Sequence, residues 1–65
     1  MKIHVQPRNG DSFKRTVWQA ISILHDAEIA SAQPDDTESL VLVDPEDTPD
    51  ALAALERAGL RARLN

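Results

Sequence analysis

The chain has 65 residues, 42% of them apolar, a net charge of −4 and no cysteine. A chain this short buries only about 60% of the surface its unfolded form exposes, so residues 1–65 are expected to make a single domain with a small core. The composition excludes a disulfide-stapled fold and a cysteine zinc site, no apolar run approaches the ~18 residues of a membrane span, and the opening MKIHVQ lacks the apolar stretch of a signal peptide. A soluble, cytoplasmic protein or excised domain is expected, with no cofactor and no metal.

Lys2 to Gln6 alternates Ile3 and Val5 with Lys2, His4 and Gln6, the period of a strand with one buried and one open face. Pro7-Arg8-Asn9-Gly10 breaks it with turn chemistry, and Asp11 or Ser12 can cap a helix. Phe13, Val17, Ala20, Ile21 and Leu24 then recur at three and four, which puts them on one stripe of a helix ending near Asp26 or Ala27. Trp18 and Ile23 fall on opposite shoulders of that stripe.

Glu28 to Gln33 reads as a weak strand of small residues with no clear face. Pro34 to Glu38 is a polar turn of hairpin length, followed by Leu40-Val41-Leu42-Val43, a continuous aliphatic run suited to a central strand. Thr48 reads as an N-cap, Pro49 as the first residue of a second helix, and Ala51, Leu52, Leu55 and Ala58 as its buried stripe. Gly59 fits the left-handed position beyond that helix, with Leu60 folding back, and Leu60 to Leu64 alternates as a last strand.

The order βαββαβ is the split βαβ, or ferredoxin-like, arrangement. It is an α+β fold: right-handed crossovers put both helices on one face of a four-stranded antiparallel sheet, with strands one and three at its centre. The opposite face is then left open.

Charge is segregated along the chain. Residues 1–27 are net basic, residues 28–56 carry nine acids and no Lys or Arg, and Arg57, Arg61 and Arg63 close the sequence. Such polarity marks distinct faces or complementary edges.

No nucleophile with a base, paired carboxylates or metal-ligand spacing stands out, so no catalytic residue is assigned. His4 and His25 lack ligands at metal spacing, and the run Asp44, Glu46, Asp47, Asp50 lacks the glycine and terminal glutamate of a calcium loop. Asn9, Gly10 and Asp11 lie where a strand meets a helix N-terminus, and amides there can receive a carboxylate or phosphate; a plain Asn-Gly turn explains the same residues.

The open face of the sheet is the more informative surface. It would present Lys2, His4 and Gln6 from the first strand beside Arg61 and Arg63 from the last. Val41 and Val43 are assigned to the adjoining apolar patch, with Leu40 and Leu42 as the alternative. Such a surface suits an acidic or amphipathic protein partner, although Arg and Lys stems also shield small sheets from water. The first and third strands carry no aromatic residue on which a base could stack, which argues against nucleic acid. Trp18, with Ile21 and His25 on its side of the first helix, is a candidate anchor for a partner or a second copy.

From the third strand onward, LVLVDPEDTPDALAALERAGLRARL resembles the second half of ACT domains, in which an apolar strand leads to an acidic turn, an Ala/Leu helix, Ala-Gly and a closing strand. ISILHDAEIASAQ is similar to their helix end and second strand. At the first strand–helix junction Pro7-Arg8-Asn9-Gly10 stands where ACT domains carry Asp, a basic residue, Pro and Gly, with Gly10 in the matching role. The resemblance implies a regulatory module that forms homodimers and senses a small molecule such as an amino acid. His4-Val5-Gln6 with Ser12-Phe13 is similar, less closely, to the opening of peptidoglycan-binding SPOR domains, whose arginine-rich third strand is replaced here by LVLV. An accessory subunit of an enzyme is a further alternative.

Overall fold

The computed structural model describes residues 1–8, 10–34 and 38–65. Its elements are β1 (Lys2–Gln6), α1 (Phe13–Asp26), β2 (Ser31–Ala32), β3 (Leu40–Val43), a 3₁₀ turn (Pro45–Asp47), α2 (Thr48–Arg57) and β4 (Arg61–Leu64). The strands form one antiparallel sheet in the order β2-β3-β1-β4, the ferredoxin-like arrangement expected from the sequence.

The alternation in β1, with the observed register, sets the faces of the sheet. Ile3 and Val5 are fully buried and face the helices, and Ile3 lies opposite Val41, while Lys2 and His4 lie opposite Leu42 and Leu40. Because side chains alternate across a sheet, Val41 and Val43 point to the helix side and Leu40 and Leu42 to the open side. Val17, Ala20 and Leu24 from α1 and Ala51 and Leu55 from α2 complete an aliphatic core against these strands.

Both helices end alike. At the end of α2 the Leu60 amide donates to Leu55 O at 3.0 Å and the Gly59 amide to Glu56 O at 2.9 Å, with Gly59 at φ +89°. At the end of α1 the Ile29 amide donates to Leu24 O at 2.8 Å and the Glu28 amide to His25 O at 2.9 Å, with Glu28 at φ 63°. These are two Schellman motifs, each folding a buried apolar residue, Leu60 or Ile29, back onto the core. The sequence marks the second through Gly59, whereas at the first a glutamate holds a left-handed conformation that glycine adopts without penalty. Glu28→Gly is therefore expected to raise stability by about 0.5–1 kcal/mol, the relief of strain outweighing the freer unfolded chain. Urea denaturation checks this, and a lowered midpoint would mean that the Glu28 side chain holds a contact worth more than the strain.

Two local expectations need correction. The second strand spans Ser31–Ala32 rather than Glu28 to Gln33, because the α1 Schellman turn takes up Glu28 and Ile29. Thr48 is the first residue of α2 rather than its cap: the 3₁₀ turn precedes it, and its buried hydroxyl donates back to Asp44 O at 3.2 Å. Of the polar turn placed at 34–38, residues 35–37 lie outside the described residues.

Candidate functional site

The basic side of the sheet is built by the pairing of β1 with β4. His4 lies opposite Arg63, Gln6 opposite Arg61 and Val5 opposite Ala62, so His4, Gln6, Arg61 and Arg63 share the face turned away from the helices. Together with Ala62 they line a hollow of about 490 Å³ that has no carboxylate among its described lining residues. Arg61 and Arg63 are exposed and ion-paired with none of the described residues. Lys2 continues the basic strip toward the other end of β1, opposite Leu42.

The apolar part of this face differs from the expected one. Val41 and Val43 are buried at 0% and 4% and belong to the core, so they form no part of the open surface. The reason is register: β1 fixes the direction of its neighbour's side chains, and a shift of one residue would drive both valines out of the core. Leu42 takes their place at 39% exposure. Leu40 is on the open side yet only 4% exposed; it lies outside the main core cluster and shares a hollow of about 270 Å³ with His4, Glu38, Ser39 and Asn65. The Val5 amide donates to Ser39 O at 2.9 Å and the Ser39 hydroxyl donates to Val5 O, extending the β1–β3 ladder beside Leu40. The free apolar contribution is therefore Leu42 alone on β3, beside the small exposed Ala32 of β2.

At the β1–α1 junction, Asn9 lies outside the described residues. Gly10 adopts φ +89° with open space around its α-carbon, the conformation a tight turn demands. The Asp11 amide donates to Arg8 O at 2.9 Å, and the Asp11 carboxylate sits 3.9 Å from Arg15 Nε. Ser12 is the helix cap, its hydroxyl oxygen accepting from the Arg15 amide at 3.2 Å. Local partners thus take the Asp11 and Arg15 amides and one side of the Asp11 carboxylate.

On α1, Trp18 is 71% exposed. It lines a hollow of about 520 Å³ with Arg8, Arg15, Gln19, Ser22 and Ile23, whereas His25 lines a separate one with Asp26, Glu28, Ile29 and Ala30. Arg8, read in the sequence only as part of a turn, ties the β1–α1 connection to the end of α2: its Nη2 donates to Ala58 O at 2.7 Å, satisfying a helix-terminal carbonyl and leaving the guanidinium at the rim of the Trp18 hollow.

No three His, Asp or Glu side chains among the described residues are grouped to hold a metal ion, and no helix among them is long and apolar enough to cross a membrane. The chain matches no protein-family model, no curated protein and no solved structure.

Proposed function

We propose that this chain is a non-enzymatic interaction module whose open sheet face docks an acidic protein partner. The observation that carries the reading is the hollow over β1 and β4, where register gathers Arg61, Arg63, His4 and Gln6 on one face with no carboxylate among the described lining residues. Its arginines form ion pairs with none of the described residues, so an incoming carboxylate displaces no ion pair among them. Leu42 and Ala32 adjoin the strip and give the same partner a small apolar contact.

ACT-like sensing of an amino acid draws on the same topology and on the junction at Gly10 and Asp11. There the turn and the Ser12 cap already engage neighbouring amides, so the open sheet face has the stronger claim. Self-association through a sheet edge is better placed at β2, whose Ser31 and Ala32 are small and neutral, than at β4, where a second copy would set arginine against arginine.

Titration of the ¹⁵N-labelled protein with polyglutamate tests the reading. Amide shifts are expected at Lys2, His4, Gln6, Arg61 and Arg63 and should fade with added salt, as exposed charge pairs are screened beyond about 8–10 Å at moderate ionic strength. Shifts confined to Lys14, Arg15 and Trp18, or none at all, would refute it.

A further inference from the structure

The open face and the free edge of β4 meet at Arg61 and Arg63, and together they define how a partner would bind. Among the described residues β4 pairs with β1 alone, so its other side is a strand edge with no described partner. The Asn65 amide donates to Lys2 O at 3.1 Å, which marks Lys2–Asn65 as a hydrogen-bonded pair. In an antiparallel ladder such pairs alternate, so His4–Arg63 and Gln6–Arg61 are also bonded inward, and the peptide groups of Ala62 and Leu64 point outward. The β1–β3 side agrees: the Met1 terminal amine and Val43 O, and the Val5 amide and Ser39 O, use the odd-numbered residues of β1 and leave the even ones to β4.

Side chains alternate along the same edge. Arg61 and Arg63 stand on the open face, while Ala62 packs against the core and Leu64, opposite Ile3 on the helix side, remains 50% exposed. We infer that the β4 edge accepts an extended segment as a fifth strand, with Asp or Glu at alternate positions facing Arg61 and Arg63 and apolar residues between them covering Ala62 and Leu64. The inference rests on the acidic-partner reading above and specifies the partner's sequence pattern and docking mode. Cross-strand neighbours sit about 5 Å apart and alternate residues about 7 Å apart, so a strand carrying acids at every second position matches the spacing of the two arginines. Main-chain bonds supply affinity and the alternation supplies selectivity.

A second copy of the chain fits this edge poorly. Its own β4 would oppose like charges, and its acid-rich stretch Asp44 to Asp50 contains Pro45 and Pro49, which cannot donate to a ladder. The chain's other acidic run, Asp35 to Glu38, is short and leads directly into Ser39, whose carbonyl is already bonded to Val5, so the occupant proposed is a different polypeptide.

The test uses short capped peptides: one alternating Glu with Val or Thr, one of the same composition with its glutamates contiguous, and one alternating peptide N-methylated at its bonding amides. Amide exchange is measured on the whole chain. The inference expects the alternating peptide to slow exchange specifically at Ala62 and Leu64, to bind about tenfold more tightly than the contiguous one, and to lose both effects on N-methylation. Equal binding of the first two peptides with shifts at Arg61 and Arg63 but no protection at Ala62 and Leu64 would overturn strand addition and leave the acidic-partner reading standing. Failure of every peptide to perturb Lys2, His4, Arg61 or Arg63 would overturn both. Protection of Ala62 and Leu64 that rises with protein concentration in the absence of peptide would assign the edge to a second copy and overturn the inference.

Discussion

Replacing Val41 with Asp is expected to unfold the chain, whereas the same replacement at the adjacent Leu42 should leave it folded. Val41 is fully buried opposite Ile3 in the helix-side core, and a carboxylate there would have no cation to meet, since the surrounding cluster is wholly aliphatic. An uncompensated buried charge costs several kcal/mol. A chain of this length holds roughly 3–10 kcal/mol of stability in total, so the loss is comparable with everything the fold has. Leu42 is 39% exposed on the other face and lies opposite Lys2, so an aspartate at that position remains solvated and gains a cross-strand cation. The cost there should be about 1 kcal/mol or less, mainly from the poor strand preference of Asp. Circular dichroism with thermal melting reads both variants. A folded Val41→Asp together with an unfolded Leu42→Asp would reverse the two faces of the sheet and remove the proposed binding surface.

The topology was legible in the sequence because each major element carries its own signal. Ile3 and Val5 alternate with polar residues, the α1 stripe repeats at three and four, and Gly59 with Leu60 marks the stop of α2. The faces of β3 were not legible. Leu40-Val41-Leu42-Val43 is apolar at every position, so the run holds no period, and only pairing with the alternating β1 decides which residues turn inward. A register argument begun from β1 would still have needed the pairing offset, which lies in the intervening connections.

The early end of the second strand was hidden for a different reason. A Schellman turn is normally announced by glycine, and at Glu28 the chain adopts it with a side chain in place, held by the burial of Ile29 against the core. The basic strip was readable, since Arg61 and Arg63 alternate with Ala62 and Leu64 and the β1–β4 adjacency follows from the topology. The covering of Leu40 was not, because it depends on where His4, Glu38 and Ser39 meet in space.

The second large effect concerns binding. Arg61 and Arg63 contribute their exposed guanidiniums to a face on which no described acid pairs with them, so reversing both charges should change the surface without disturbing the core. The double variant Arg61→Glu/Arg63→Glu is expected to fold as the wild type does, because neither side chain takes part in packing and the inward backbone bonds of β4 are unchanged. Each exposed ion pair is weak on its own, but converting attraction to repulsion at two neighbouring positions should reduce affinity for an acidic peptide by roughly tenfold to a hundredfold.

The most direct measurement is the affinity of wild type and of this double variant, by calorimetry at low salt, for two peptides that differ only in carrying Glu or Lys at alternate positions. The proposed docking surface requires the preference to invert, with wild type taking the glutamate peptide and the variant the lysine peptide. A variant that stays folded and still prefers the glutamate peptide would place acidic recognition elsewhere on the molecule and contradict the role assigned to the β1–β4 face.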